Sequence, residues 1–307
     1  MTGRIVVVGS LNADLVVRTD RFPKPGETLR GDDLVVLPGG KSANQAAAAG
    51  RLGGAVTMIG AVGDDPNGSL LRTAVASDGV DVSAVRVIDG VATGTAVITV
   101  DARGENTIIV SPGANGVLAP ADVAAAATVF DDAAVLGLCL EVDLAVVLEA
   151  ARTASAADVT VLTNLSPFGD VPDELLALTD VLLVNEHEAA QLVGAEVGDA
   201  RWEQLPGLLA RRGVHRTVIT MGGDGCLVLD AGSPPERIGS VVVDAVDTTG
   251  CGDAFMGGVA LRLAAGDALA DAARYAVTVG AFAATRTGAQ ASYPTPSELE
   301  EFLADHS

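Results

Sequence analysis

The sequence predicts an α/β fold: a three-layer αβα sandwich with a mostly parallel central sheet and a small β-sheet lid beside it. Three observations carry this. From about residue 119 onward, short β-branched runs alternate with helix-like stretches, as βαβ units under a doubly covered sheet require. Hydrophobic residues make up 49% of the chain but aromatics only 3%, so the core is built from Ala, Val, Leu and Ile. Two segments, 13–36 and 92–111, break the rhythm with polar/apolar alternation bounded by Gly and Asp, the pattern of half-exposed antiparallel strands.

The elements follow in order. Residues 5–9, Ile5-Val6-Val7-Val8-Gly9, read as a buried strand, followed by polar turns and the Pro-rich stretch 22–27. Residues 41–51 read as helix and 55–61 as strand. Strand 135–140 leads into helix 144–154, and strand 159–164 into a short helix at 173–178. Strand 181–185 comes next, then a helix at 202–212 and a strand at 217–221. Helices at 253–265 and 269–285 occupy the last third. The Ala-rich patches 46–49 and 124–127 read as helix filler.

Charge narrows the function classes. Lys+Arg 19 against Asp+Glu 40 gives −21, a field that repels nucleic-acid backbones and anionic membranes. An anionic substrate must therefore be held by local devices. The three cysteines, Cys139, Cys226 and Cys251, form no CxxC pair, and with three histidines they argue against a disulfide framework or a structural zinc. They read as small buried hydrophobes in a reducing compartment. Met1-Thr2-Gly3-Arg4-Ile5 enters the first strand without an apolar signal segment, and no stretch reaches the ~18 apolar residues of a membrane span. The expectation is a soluble cytoplasmic protein.

Ligands of open α/β sheets bind beyond the carboxyl ends of the strands. Polar residues at those ends are Asn12 and Asp14, two apart and so on one side of an extended chain; Glu141; Asn185 with Glu188 a helical turn later; and Gly222-Gly223-Asp224-Gly225 after Thr220 and Met221. Each alone is a common cap or turn residue; their shared position at strand ends points to a site. Gly40-Lys41-Ser42 is not a P-loop, because Val35 stands where that motif needs Gly. It is either a Ser-capped turn or a close-approach loop, with Lys41 and Asn44 as donors to a polyhydroxylated ligand.

The sharpest signal is Asp247-Thr248-Thr249-Gly250-Cys251-Gly252-Asp253, which opens a helix. Gly250 and Gly252 bare successive N–H groups that converge on an anion, aided by the helix dipole. Asp253 is the strong base beside that anion hole. Base plus anion hole is the equipment for phosphoryl transfer to an alcohol. The plainer alternative is a Gly-rich helix start with Asp as its cap.

These residues resemble a known family. DTTGCGD (247–253) is similar to the DTxGAGD signature of the ribokinase-like (PfkB) sugar kinases, and PGGKSANQAAAAGRLGG (38–54) resembles the family's other signature. VVVGSLNADLV, FPKPGETLRG, VGDDPNG, SPGAN, NEHEA, ITMGGDG and TRTGAQAS fall in the family's order over nearly the whole chain. The resemblance implies one kinase domain over 1–307 with lid segments at 13–36 and 92–111. The pattern lies nearest the family's ribose-phosphorylating members. It implies ATP-dependent phosphorylation of the primary 5-hydroxyl of D-ribose, and assembly as a homodimer through the lid.

By the same resemblance, Asn12, Asp14, Gly40, Lys41, Asn44 and Glu141 hold the sugar, and Asp253 is the base beside a Gly250-Cys251-Gly252 anion hole. Asn185 and Glu188 are associated with Mg²⁺ and phosphate, Glu188 through water. ATP lies along Thr220, Met221, Gly222, Gly223, Asp224 and Gly225, near Val277. A monovalent cation, normally K⁺, is implied at Asp247, Thr249, Ala283, Arg286, Gly288 and Ser292. Ser42 replaces the family's usual Gly, Cys251 its usual Ala, and Val277 a frequent His. Alternatives are a relative acting on deoxyribose, 2-keto-3-deoxygluconate, fructose or adenosine, or a non-catalytic sugar binder. A dinucleotide oxidoreductase is excluded, because Gly9-Ser10-Leu11-Asn12 is not GxGxxG.

Overall fold

Val6, Val7 and Val8 carry nothing that solvent would hold. In the computed structural model, which describes residues 3–194 and 204–306, they lie buried in β1 (Arg4–Val8) inside the main sheet. β2 (Asn12–Arg18) and β3 (Val35–Gly39) leave for a small sheet, and α1 (Lys41–Arg51) and β4 (Val56–Gly63) return. α2 (Pro66–Ser77), β5 (Val80–Asp81) and β6 (Val85–Ile88) follow, and β7 (Thr95–Val100) with β8 (Asn106–Ser111) makes the second excursion. The alternation then runs α3 (Pro120–Ala125), β9 (Ala133–Leu138), α4 (Leu144–Ala156), β10 (Thr160–Asn164), α5 (Asp173–Leu178), β11 (Val181–Asn185), α6 (Glu186–Val193), α7 (Leu205–Arg211) and β12 (Arg216–Thr220). β13 (Cys226–Asp230) and β14 (Glu236–Ile238) precede α8 (Cys251–Ala264), α9 (Leu269–Ala284) and α10 (Pro296–Asp305).

The main sheet has ten strands in the order β14-β13-β12-β11-β10-β9-β1-β4-β5, with β6 also on β4. It is parallel except for the antiparallel β12–β13–β14 edge. Alternate residues of each strand face opposite cores: Ile5 and Val7 join one with α1, α8 and α9, while Val6 and Val8 join the other with α4 and α5. The expected α/β sandwich and separate small sheet are therefore present.

The small sheet runs β3-β2-β7-β8. Its β2–β3 and β7–β8 pairs are antiparallel as expected, but β2–β7 is parallel. Both strands start from the same end of the small sheet, with Ala13 opposite Thr95, and advance in the same direction.

Boundaries differ modestly. The strand expected at 55–61 runs to Gly63, and the helix expected at 253–265 starts at Cys251, because Gly250 ends the loop there. The helix expected at 202–212 is Leu205–Arg211; Trp202 and Glu203 lie outside the described residues, as do Met1 and Thr2. All three cysteines are free, and among the described residues no helix is long and apolar enough to cross a membrane.

Candidate active site

The start of α8 needs glycine for a steric reason. Gly250 has φ +73°, and a Cβ there would stand 2.7 Å from the Tyr293 hydroxyl and 2.8 Å from Ala289. The Tyr293 hydroxyl donates to the Gly250 carbonyl at 3.2 Å. The Gly250 and Gly252 N–H groups have no partner among the described residues, and a Cβ at Gly252 would meet open space. The Cys251 N–H, by contrast, donates to Thr248 O at 3.3 Å, so the free donors of the expected anion hole are chiefly the two glycines.

Asp253 stands in the first turn of α8 and is 6% exposed. Asn44 Nδ2 and Gln45 Nε2 of α1 each donate to one of its oxygens at 3.0 Å. Small residues bring these helices close enough. Gly257, one turn beyond Asp253, would drive a Cβ to 2.6 Å from Ala48 Cβ and 2.9 Å from Gln45 O. The Ala46–49 run, read from sequence as filler, is wholly buried and packs here.

The residues expected to hold a sugar lie where the small sheet leaves the main one. Asn12 accepts from Asn115 Nδ2 at 2.8 Å, and Asn115 in turn bonds both the N–H and the carbonyl of Leu11. Asp14 lies across from Leu37 on β3, over Gly39, where any side chain would collide with its carboxylate. Glu141 accepts from Ser10 Oγ at 2.6 Å and from the Lys41 N–H at 2.9 Å, tying the turn after β1 to the start of α1. Ser42, in the usual glycine position, is fully buried with Oγ 2.9 Å from Cys139 Sγ, in space that Gly9 leaves open.

A cavity of about 240 Å³ joins part of the candidate set: Lys41, Asn185, Glu188, Gly250, Gly252 and Asp253 line it, whereas Asn12, Asp14, Gly40, Asn44 and Glu141 do not. Asn185 and Glu188 also form a reciprocal cap of α6, with Glu188 N–H on Asn185 Oδ1 at 2.8 Å and Asn185 N–H on Glu188 Oε2 at 2.9 Å. Beyond the glycines a second cavity, about 430 Å³, is lined by Thr220, Gly222, Gly223 and Gly225 opposite Phe255 and Val277. Met221 and Asp224, expected on the nucleotide path, do not line it. The Met221 sulfur accepts from Arg237, and its N–H closes the turn onto Gly225 O.

Among the cation candidates, Asp247 joins two loops: it accepts from the N–H groups of Thr249 and Gly288, both at 2.9 Å. Arg286 sends its side chain to Glu298 and over the Phe282 ring, so only its backbone faces these loops. Ser292 Oγ donates to Ala289 O, and Ala283 O accepts from the Arg286 N–H. Among the described residues no three His, Cys, Asp or Glu side chains cluster closely enough to cage a metal.

The electrostatics follow from crowded, buried carboxylates. Burial, then the charges of Glu141 and Asp253, pushes Asp14 up to about 7. Burial also raises Asp253, against the opposing pull of Lys41, Asn44 and Gln45. Burial pulls Lys41 down, but Asp253, Glu141 and Glu188 outweigh it and leave its ammonium firmly charged. At Asp247 the Thr249 and Gly288 donors overcome burial and hold the carboxyl below its usual range.

Sequence reasoning did not single out Ser10, Gln45, Asn115, Gln290 or Tyr293. Ser10, Gln45, Asn115 and Gln290 lie inside the family-like blocks VVVGSLNADLV, PGGKSANQAAAAGRLGG, SPGAN and TRTGAQAS, which was the available signal.

A doubly covered parallel sheet, a small separate sheet and a glycine-opened helix carrying a buried carboxylate fit an α/β small-molecule kinase. The model for the pfkB family carbohydrate kinases matches residues 2–296, and the chain belongs to that family. It is 36% identical over 304 residues to the ribokinase of Haemophilus influenzae, covering 99% of each chain. With the ribokinase of Mus musculus it shares 36% identity over 300 residues, covering 96% of this chain and 93% of the other. The structure of Arabidopsis thaliana ribokinase complexed with ribose and ATP superposes with TM-score 0.92 at 29% identity, over 99% of both chains.

Proposed function

We propose that the chain transfers the γ-phosphoryl group of ATP to the primary 5-hydroxyl of D-ribose, giving ribose 5-phosphate and ADP. One observation carries this reading. Asp253, buried and doubly hydrogen-bonded, shares a cavity with the unpartnered N–H groups of Gly250 and Gly252. The names of the relatives, and the ribose and ATP bound to the Arabidopsis protein, support the substrate pair.

In this reading Asn12, Asp14, Gly40, Lys41, Asn44 and Glu141 hold the sugar hydroxyls. Asp253 accepts the 5-hydroxyl proton as that oxygen attacks phosphorus. The N–H groups of Gly250 and Gly252, with the α8 dipole and the Lys41 ammonium, stabilise the charge on the migrating phosphoryl. ATP runs from this point into the cavity of Thr220, Gly222, Gly223, Gly225 and Val277. Glu188, with one oxygen committed to the α6 cap, suits a Mg²⁺ that keeps its waters. Such an ion neutralises phosphate charge when bound. K⁺ would be held by hard oxygens of Asp247, Thr249, Arg286, Gly288 and Ser292 in the loops that Asp247 ties together, and of Ala283 at the end of α9.

The lid is proposed to close over ribose and to pair two copies of the chain. Leu34, Val35, Ile108, Ile109 and Val110 expose apolar surface there, more than a solvated edge strand normally carries. Three free thiols suit a reducing, cytoplasmic setting.

Asp253→Asn tests the base. It should bind ribose in calorimetry much as the parent does and lose turnover by ~10²–10⁴-fold. Near-parental turnover would remove Asp253 from the chemistry.

A further inference from the structure

Asp253 is held by two amides, and one of them, Gln45, has no part in the mechanism above. Behind Asn44 stands a third: Gln290 Nε2 donates to Asn44 Oδ1 at 3.1 Å. The row therefore runs Gln290, Asn44, Asp253, Gln45, and all four side chains are buried. Each bond in it has one chemical sense. Gln290 occupies the Asn44 carbonyl, so the Asn44 amide turns its N–H₂ toward Asp253 and keeps one N–H free for a sugar oxygen.

Two features set this apart from ordinary core packing. The Gln45 and Gln290 Oε1 atoms are both buried without a hydrogen-bonding partner among the described residues. An unpaired buried acceptor is costly, and a position that needed only volume would take Leu or Met. What both residues keep is the donor. Gln290 also begins a 3-10 turn that reaches α8: Tyr293 follows it and donates to Gly250 O, while Gly288 before it bonds Asp247. Helix α1, the base and the anion-hole loop are thus joined through one turn.

We propose that Gln45 and Gln290 are positioning residues for phosphoryl transfer: Gln45 orients the Asp253 carboxylate and restrains its basicity, and Gln290 fixes the Asn44 amide for the sugar. This rests on Asp253 acting as the base. The charged and titratable groups around that carboxylate are Lys41 of α1, Asp14 of β2, Cys139 and Glu141 after β9, Cys251 of α8, Tyr293, and Glu188 across the shared cavity. None of them is altered by substituting the glutamines.

The experiment compares Gln45→Met, Gln45→Glu and Gln290→Met with the parent and with Asp253→Asn. It reads the pH profile of kcat at saturating ribose, which the Asp14 dependence of ribose KM does not enter, together with the ribose KM, ribose binding by calorimetry, and Tm. Loss of a donor to a carboxylate raises its pKa, so Gln45→Met should move the acid limb up by about one pH unit with ribose KM within about twofold. Gln45→Glu, which sets a second carboxylate against Asp253, should move it further. Gln290→Met should leave the limb in place and raise ribose KM by about fivefold or more. Turnover surviving in Asp253→Asn refutes the base itself, whatever the glutamines do. If Asp253→Asn is inactive while the glutamine variants change only Tm, with limb and KM unmoved, the positioning role is overturned.

Discussion

Asp14 occupies a place that works against its charge. It is partly buried near Glu141 and Asp253, and its carboxyl is pushed up to about 7. A protonated carboxyl accepts fewer hydrogen bonds from sugar hydroxyls, so ribose KM should fall as pH rises from 6 to 8. In Asp14→Asn that dependence should vanish while ribose KM rises and ATP KM holds; steady-state kinetics at four pH values checks both. Stability has the opposite sense. The folded chain keeps this proton up to about pH 7 and the unfolded chain releases it near 4, so Asp14's contribution is favourable below that window and is lost as pH rises through it. Asp14→Asn should therefore raise Tm by about 2 °C or more at pH 8 and by less at pH 5.5, measured by calorimetry. A flat KM profile in the parent chain would make Asp14 structural.

The junction of α1 and α8 shows how an element built from small residues places a reactive group. Gly252 and Gly257 lie on one helix, and their substitutions should differ in kind. At Gly252 a Cβ meets no protein atom, so Gly252→Ala should keep Tm while lowering kcat through crowding of the phosphoryl path. At Gly257 a side chain meets Ala48 and the α1 backbone, so Gly257→Val should lose about 1–3 kcal/mol of stability and, by parting the helices, activity too. Parallel Tm and kcat measurements separate the two; equal loss of Tm would contradict the open space at Gly252. The same helices show what sequence reveals. Strands β9 and β11 were legible because burial on both faces makes them near-continuous apolar runs, and β10 and β12 because a short β-branched or aliphatic centre recurs at the same spacing. α10 was passed over although Thr295-Pro296 and Glu298 spell its cap, and α2 although Asp65-Pro66 does the same. β14, three residues long, leaves almost no pattern. The candidate base was readable as a position beside two glycines. Its partners were not, because Asn44 and Gln45 lie more than two hundred residues away in the chain and only packing brings them there.

At the scale of the molecule, a net charge of −21 offers no general attraction for a nucleotide, so capture is proposed to depend on the small sheet and the cleft. An exposed apolar sheet with free edges is poorly stable alone, and a second copy is its proposed cover. Light scattering at micromolar concentration should give twice the 30.7 kDa chain mass; a species of 30.7 kDa alone would contradict the dimer. Ribose should slow hydrogen exchange across 13–36 and 92–111 and leave β10 unchanged, as expected of a lid that excludes water from the transfer. The most direct test of the whole account is ADP release from ATP and Mg²⁺ over a panel of pentoses, hexoses and nucleosides, in K⁺ and in its absence. D-ribose should give the highest kcat/KM, with K⁺ raising it. Equal or greater kcat/KM for a hexose or a nucleoside, or no ADP release with ribose, would contradict the assignment.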